Sequence, residues 1–253
     1  MRNTLFRIFG WKMSLIMGDL MVLDRWRWLF KKINNNINSA DKKVLDVGCG
    51  SGAFTLGAAS LGYKSLGLSW DNINRTKASH RAEICKKNAS FEILDVRELD
   101  KRNDLKESFK YIICTENIEH IINDHKLMMD MNNCLERDGI LLLTTPNKNL
   151  IPVWGDEIVL PDPPVEDGGH VRFGYDELDC KEICSKTGFE IISIEYCSGY
   201  FSQKITGLFR VLSNLNLYFA WLIVLPLRLI PKLFDSFIKY PGYSICLVAK
   251  KKS

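Results

Sequence analysis

Hydrophobic and polar residues along the middle of the chain alternate between two patterns. Short, almost wholly apolar runs are separated by longer stretches in which apolar residues recur at helical spacing. Strands that are covered on both faces are nearly all apolar, and strands that alternate with helices form mostly parallel sheets. The pattern therefore predicts an α/β fold with a doubly wound, mostly parallel sheet. The predicted strands are 43–47, 64–68, 91–94, 111–114, 140–144, 190–196 and 243–249.

Between these strands the spacing predicts helices over about 72–88, 126–136 and 175–187. Gly188 follows the last of them in the position of a helix cap. The Arg-Asp-Gly sequence at 137–139 is typical of a turn before the fifth strand. These elements make residues 41–199 the core, and residues 241–253 supply its final strand and a basic tail.

Two segments lie outside this alternation. Residues 1–40 form an N-terminal helical appendage, with apolar residues at helical spacing over 14–33 and an asparagine-rich stretch, 34–39, that ends the helix. Residues 200–240 form an apolar helical insertion before the last strand. Each is a candidate for contacts outside the core.

The insertion has three interpretations. Residues 211–227 contain no charged residue, yet Pro226 interrupts them, and Arg228, Lys232 and Lys239 follow. An interfacial or re-entrant helix with basic flanks fits this pattern best. A lid or dimer helix is the second interpretation, and a span over 205–225 is the third. In the interfacial case, Trp26 and Trp28 of the appendage would lie on the same membrane face.

Composition narrows the class of protein only slightly. The 253 residues carry a net charge of +4, which does not require a nucleic-acid partner. The eight cysteines are scattered singly and no signal peptide is evident, which is typical of reduced thiols in a cytoplasmic protein. Together with the apolar insertion, this predicts a cytoplasmic location, peripheral on the inner face of a membrane.

The most informative motif joins the first strand to the next helix. Asp46 ends the strand, and Gly48, Gly50 and Gly52 follow at alternate positions, with Cys49 among them. Glycine has no Cβ and tolerates positive φ, so such a turn lets a ligand approach the backbone closely. Amides at the start of the following helix then face that ligand.

This motif resembles the first motif of class I S-adenosylmethionine (SAM) dependent methyltransferases, an acidic residue followed by x-G-x-G-x-G. The resemblance covers residues 42–197 and the final strand. Within this class, the chain is similar to small-molecule, glycan and ubiquinone-pathway O-methyltransferases. It implies a Rossmann-like sheet of seven strands with the last antiparallel. It also implies that Asp46, Gly48, Cys49, Gly50 and Gly52 surround the methionine part of SAM.

Two further clusters match SAM-binding positions of the family. The end of the second strand usually carries an acid for the ribose, but Ser69 stands there, as in cyclopropane fatty acid synthases. Either Ser69 or Asp71 would bind the ribose, and Trp70 would cover the adenine edge or simply pack. Asp95, with Val96 beside it, matches the position that accepts a hydrogen bond from the adenine amino group. Its alternative role is that of a turn acid or helix N-cap.

The last cluster is Glu116-x-x-Glu119-His120, directly after the fourth strand at the mouth of the SAM pocket. On one helical turn these side chains would share a face and suit a divalent cation such as Mg²⁺. The pattern resembles ubiquinone-pathway O-methyltransferases and small-RNA 2′-O-methyltransferases, with His170 as the downstream ligand. Alternatively, Glu119 orients His120, which acts as a general base without a metal.

The predicted function is methylation, by SAM, of a hydroxyl on a lipid-linked saccharide or quinone-type small molecule near a membrane. The loop 146–169, with five prolines, and the insertion would cover the substrate. A metal-dependent RNA 2′-O-methyltransferase is one alternative, disfavoured by the modest charge. A catalytically silent SAM-fold scaffold is the other, disfavoured by the intact glycine motif.

Overall fold

A computed structural model describes residues 2–16, 18–33, 42–153 and 159–252. The predicted helix end at 34–39 lies outside these residues. The helices are α1 (Arg2–Phe9), α2 (Met13–Ile16), α3 (Leu20–Ile33), α4 (Ala53–Ser60), α5 (Asn72–Cys85), α6 (Asp124–Cys134), α7 (Glu177–Lys186), α8 (Tyr200–Leu215), α9 (Leu217–Leu227) and α10 (Ile230–Phe234). The strands are β1 (Lys43–Val47), β2 (Lys64–Ser69), β3 (Ala89–Ile93), β4 (Phe109–Thr115), β5 (Leu135–Pro146), β6 (Phe189–Cys197) and β7 (Ser244–Lys251).

The seven strands form one sheet in the order β3-β2-β1-β4-β5-β7-β6. Strands β1 to β5 pair in parallel, and β7 runs antiparallel between β5 and β6. This confirms the predicted sheet and its antiparallel last strand. The strand order reverses between β1 and β4, and ligands of such sheets bind beyond the carboxyl ends of the strands at that point.

The predicted turn at 137–139 is instead part of β5. Phe109 of β4 pairs with Leu135 of β5, and Tyr111 pairs with Ile140. Between these two pairs β5 has more residues than β4, so its extra residues form a bulge. Asp138 has a φ of +60°, which supplies the bend without ending the strand. The turn chemistry was therefore identified correctly, but strand pairing continues on both sides of it.

The N-terminal helices share the hydrophobic core of the sheet. A Cβ on Gly57 of α4 would lie 2.3 Å from the Trp26 ring, so α3 and α4 are in close contact. Trp26 also packs edge-on to Trp11, with ring centroids 5.0 Å apart. Trp26 and Trp28 are only 7% and 6% exposed. The prediction that these tryptophans lie on a membrane face is therefore wrong, because α4 and the sheet already cover them.

The insertion lies on this N-terminal layer. Ile205 of α8 and Val224 of α9 form a small buried cluster with Leu20 of α3. Among the described residues, the segment Leu217–Phe237 is long and apolar enough to cross a membrane by length and composition alone. It is folded here into α9, α10 and the 3-10 turn Asp235–Phe237, with a break at residues 228 and 229.

Candidate active site

The three glycines of the turn between β1 and α4 all have positive φ, at +79°, +50° and +80° in chain order. At two of them the surroundings are closed. A Cβ on Gly48 would lie 2.6 Å from the Asn117 side chain, and one on Gly52 would lie 2.8 Å from Ala78. A Cβ on Gly50 would meet no atom of the described residues within 4 Å. The backbone at Gly50 is thus the part of the turn that a ligand can approach.

Asp46 lies fully buried at the end of β1. Thr55 donates a hydrogen bond of 2.6 Å to its Oδ2, whereas Oδ1 has no partner among the described residues. Burial raises the pKa of this carboxyl to about 7. A buried oxygen without a donor is costly, so the site suits a ligand that brings a positive charge or an N–H group to it.

A cavity of about 330 Å³ lies beyond the ends of β2, β3 and β4. Asn117 lines it and also packs against Gly48, so it stands between the cavity and the glycine turn. The lining residues are Trp70, Asp95, Val96, Arg97, Glu116, Asn117, His120, Ile121, Glu166, Asp167 and Gly168. The cavity therefore joins the predicted adenine side of the site to the predicted catalytic side.

The predicted ribose and adenine residues separate into two groups. Trp70, Asp95 and Val96 line the cavity, and Trp70 is 70% exposed. Ser69 is buried and bonds the backbone of Asp71, whose own side chain caps the N-terminus of α5. Neither lines the cavity in this conformation, so both have a structural role here.

Asp95 has the N-cap role that the sequence suggested, and its predicted adenine contact stays a prediction. It caps the turn Val96–Lys101 through the amide of Arg97, and it also lines the cavity. The Arg97 guanidinium bonds both of its oxygens, and this hydrogen bonding lowers the pKa of Asp95. Asp95 is therefore held as a carboxylate facing the cavity.

Glu116 is held by three elements that are distant in the chain. Its Oε2 forms a salt bridge of 3.0 Å with Arg25 of α3. Its Oε1 accepts hydrogen bonds from Thr144 of β5 at 3.0 Å and Ser244 of β7 at 2.9 Å. Burial disfavours the charged form of Arg25, but the Glu116 carboxylate outweighs this and raises the pKa of Arg25. Helix α3 thus fixes Glu116, a residue that lines the cavity.

Glu119 is wholly buried behind His120. Thr145 donates a hydrogen bond of 3.1 Å to its Oε2, and its Oε1 is unpartnered within the described part of the chain. Burial, helped by repulsion from Glu116, raises the pKa of Glu119 well above its usual value. The predicted single helical face is wrong, because Ile118–His120 is a 3-10 turn and Glu116 precedes it with a φ of +46°.

The proline-rich loop fixes the orientation of the His120 ring. Nδ1 of His120 lies 2.8 Å from the carbonyl oxygen of Gly169. A carbonyl oxygen only accepts, so Nδ1 carries the proton and the lone pair of the neutral ring is at Nε2. Nε2 lies 3.8 Å from Oε1 of Glu119. His120 thus lines the cavity with its ring orientation fixed, and its Nε2 lies near a buried carboxyl group.

His170 comes directly after Gly169 in the chain. Its ring packs edge-on to the ring of His120, with ring centroids 4.7 Å apart. Burial and the neighbouring His120 lower the pKa of His170, so it favours the neutral form. Ligand atoms of Glu119, His120 and His170 all lie within 4.8 Å of one another. Glu116 is not in this group, because Arg25 holds its carboxylate. The predicted four-ligand metal site is reduced to three candidate ligands.

Part of the proline-rich loop closes over the cavity. Glu166 accepts a hydrogen bond from Arg97 and another from the Ile122 amide, each of 2.6 Å. Arg172, just beyond the loop, pairs with Asp124 and donates to the Ile121 carbonyl. The loop is thus tied to the segments that follow β3 and β4, directly over the predicted site.

Sequence reasoning missed Arg25, Arg97, Asn117 and Glu166. One signal for Arg25 was present, because it stands at four-residue spacing between Met21 and Leu29, which are both buried. A charged residue within an apolar stripe predicts a buried partner. No comparable signal marks Glu166, since its contacts join segments about 70 residues apart.

Comparison with known proteins identifies related sequences and folds. The family described as "Methyltransferase domain" matches residues 23–194. "Ubiquinone biosynthesis O-methyltransferase" of Glaesserella parasuis is 28% identical over 191 residues, 73% of this chain and 79% of that protein. The mitochondrial protein of the same description from Bos taurus is 30% identical over 109 residues, 42% of this chain and 29% of that protein.

Solved structures support the fold. Phosphoethanolamine N-methyltransferase 2 of Haemonchus contortus, in complex with SAM, superposes with a TM-score of 0.63 and 18% identity, covering 97% of this chain and 57% of that one. An S-adenosylmethionine dependent methyltransferase from Mesorhizobium loti gives a TM-score of 0.58 and 16% identity, covering 89% of this chain and 98% of that one. At such identities these matches show a shared fold.

Proposed function

The chain belongs to the methyltransferase domain family and is a SAM-dependent methyltransferase of class I fold, and from this premise we propose that it O-methylates a ring hydroxyl of a quinone-type small molecule. The observation that carries the proposal is His120, whose Nε2 is left as the basic nitrogen at the cavity by the bond from Nδ1 to Gly169. The descriptions of the relatives, ubiquinone biosynthesis O-methyltransferases, support the acceptor class.

The donor side of the site fits SAM, which supplies a methyl group on a positively charged sulfur. The unpartnered Oδ1 of Asp46 suits the ammonium of the methionine part, and the open backbone at Gly50 suits its close approach. Trp70, Asp95 and Val96 line the cavity where an adenine would lie, with Asp95 available to accept from its amino group. These residues bind and orient the donor.

On the acceptor side, His120 would take the proton from the hydroxyl as it attacks. Positioned general bases of this kind contribute roughly 10²- to 10⁴-fold in rate. Burial favours the neutral form of Glu119. The proton that leaves the acceptor hydroxyl goes to Nε2 of His120, and the polar carboxyl group of Glu119, with Oε1 3.8 Å from Nε2, lies beside the imidazolium that forms. The Gly169 carbonyl keeps the ring in this orientation throughout.

The test is methyl transfer from labelled SAM to a catechol that carries a short isoprenoid chain. We expect label on one ring oxygen, with a chain-free sugar and an RNA oligonucleotide as comparison acceptors. Transfer to the sugar or the RNA, and none to the catechol, would overturn the acceptor class. SAM binding is measured separately by calorimetry. A silent scaffold would not bind SAM, whereas an enzyme tested with the wrong acceptor would still bind it.

A second candidate mechanism uses a divalent cation, favoured by the approach of Glu119, His120 and His170 within 4.8 Å. The metal would polarise the hydroxyl and lower its pKa. Two imidazoles and one carboxylate suit Zn²⁺, Mn²⁺ or Fe²⁺ better than Mg²⁺, which prefers oxygen ligands.

Metal content after dialysis, measured by mass spectrometry, tests this second mechanism. If a metal is held, one equivalent remains bound and is lost in His170→Ala. A metal-free protein whose transfer rate is unchanged by chelator supports the base mechanism instead.

A further inference from the structure

We propose that the segment from α9 to the 3-10 turn at Asp235–Phe237 docks in the plane of an anionic lipid bilayer. One side of this segment is an apolar stripe open to solvent. Its members recur every three or four residues and are 50–81% exposed. They are Tyr218, Leu222, Leu225, Leu229, Leu233 and Phe237. Such a large exposed apolar patch is rare on a soluble monomer and marks an interaction surface.

The opposite side of the same segment fixes it to the protein. Ala220 and Val224 are buried, and Val224 packs with Ile205 of α8 and Leu20 of α3. Arg228 turns inward, donating a hydrogen bond of 2.6 Å to the Gly18 carbonyl and lying 4.9 Å from the Trp221 ring centre. The exposed stripe is therefore presented by a firmly seated element and does not belong to a loose tail.

The geometry favours a helix that lies on the membrane and does not cross it. With about 1.5 Å per residue, the 11 residues of α9 extend about 16 Å, roughly half of a bilayer's hydrocarbon core. The break at residues 228 and 229 follows Pro226 and separates α9 from α10. The buried positions along the segment require it to stay against α3 and α8.

The charges around the stripe select an anionic surface over a second protein. Lys232 and Lys239 are exposed beside it, and Lys31 of α3 lines a groove of about 380 Å³ together with Lys232. None of these lysines forms an ion pair with a carboxylate of the residues that the structure describes. Three carboxylates line the same groove, and each has a partner: Asp24 pairs with Arg27, Glu195 with Lys32, and Asp235 accepts hydrogen bonds from the Phe201 amide and the Ser202 hydroxyl. Basic residues at the rim of an apolar face are what acidic headgroups attract.

Residues on either side of the docking segment contact the first part of the loop 146–169. The Tyr240 hydroxyl donates to the Ile151 carbonyl at 2.7 Å, and Lys204 of α8 donates to the Val153 carbonyl at 3.1 Å. Docking would hold this first part of the loop close to the lipid surface. The inference rests on the exposed stripe and its charges and does not depend on the identity of the acceptor.

The experiment is co-sedimentation of the full chain with phosphatidylcholine vesicles that contain or lack phosphatidylglycerol. We expect binding only when the anionic lipid is present, with release by high salt and by alkaline carbonate. Leu222→Glu should weaken binding at least about tenfold, and Lys232→Gln about fivefold. Leu178→Glu is the matched control, because Leu178 on α7 is 73% exposed, as Leu222 is. Equal melting temperatures for the two glutamate variants would show that both fold.

Three results would overturn the proposal. Absence of vesicle binding, with a dimer that Leu222→Glu dissociates in light scattering, would show a second copy on the stripe. Resistance to carbonate extraction would show a spanning segment. Equal loss of binding in the Leu178→Glu control would show a non-specific charge effect. SAM binding, measured by calorimetry without vesicles, should be unaffected in all three cases. Failure of the membrane proposal is therefore distinguishable from failure of the proposed function.

Discussion

The part of the donor side predicted to hold the methionine of SAM is built from residues close together in the chain, whereas the acceptor side of the cavity joins residues far apart. On the donor side, Asp46, its partner Thr55 and the glycine turn lie within 10 consecutive residues. On the acceptor side, Arg25 and Ser244 both bind Glu116, and Gly169 orients His120. One strand and one turn therefore form the predicted methionine site, while the positions of Glu116 and His120 depend on the whole fold.

This difference separates what each kind of substitution should damage. Donor-side changes should alter SAM affinity and leave the rest of the protein intact. Acceptor-side changes should alter either the chemical step or the stability of the fold, with SAM affinity preserved. The predictions below test that separation, beginning with the largest expected effect.

Replacing the proposed base should produce the largest loss. We expect His120→Ala to lower the rate of methyl transfer about 10²- to 10⁴-fold with SAM affinity unchanged, since the side chain acts on the acceptor's proton. Added imidazole should restore part of the rate. His80→Ala, on the exposed side of α5, is the control and should have no effect. A full rate in His120→Ala would exclude a base at this position.

Breaking the buried ion pair should mainly reduce stability. Arg25→Met leaves Glu116 without its cation, and removing one partner of a buried pair costs about 3–5 kcal/mol of unfolding free energy. Arg27→Met on the same helix breaks a more exposed pair with Asp24 and should cost about 1 kcal/mol or less. Urea denaturation measures both. Equal effects would mean that Glu116 needs no fixed counter-charge.

Donor binding should depend on pH through Asp46. Burial raises the pKa of this carboxyl to about 7, so SAM affinity should rise about tenfold per pH unit below pH 7 and then level off. As the pH rises from about 4 to about 7, the free energy of unfolding of the protein without SAM should fall. The reason is that the folded state binds the Asp46 proton more tightly than the unfolded chain does. Calorimetry across this range checks the slope. Asp46→Asn should show a flat profile, and an unchanged slope would assign the titration elsewhere.

The smallest predicted effect separates backbone strain from ligand contact at the glycine turn. Gly50→Ala adds a methyl group in open space at positive φ, so we expect stability to fall by only about 1 kcal/mol. SAM affinity should fall about tenfold, because the methyl group would occupy the ligand's side of the turn. Gly10→Ala is the matched control, with a φ of +66° and no atom within 4 Å. Equal SAM affinity in both variants would move the ligand away from Gly50.

The sequence predicted the sheet because each strand is a short apolar run, and burial on both faces leaves few other arrangements for such runs. The sequence predicted Trp70, Asp95 and Val96 at the ligand, and all three line the cavity just beyond the ends of β2 and β3. It predicted that either Ser69 or Asp71 binds the ribose, but neither lines the cavity: Asp71 caps α5 and Ser69 bonds the Asp71 backbone. Short-range hydrogen bonds such as these compete with any role at a ligand.

The sequence by itself therefore determined the fold, the carboxyl ends of the strands to within one or two residues and the glycine turn, because local periodicity and glycine's backbone freedom are properties of neighbouring residues. Only the tertiary structure decided that Arg25 binds Glu116, that Gly169 orients His120 and that the tryptophans of α3 are buried. It also decided which side of the insertion faces solvent. These contacts join segments separated by tens to hundreds of residues, and no local pattern specifies which of the available partners a side chain will meet.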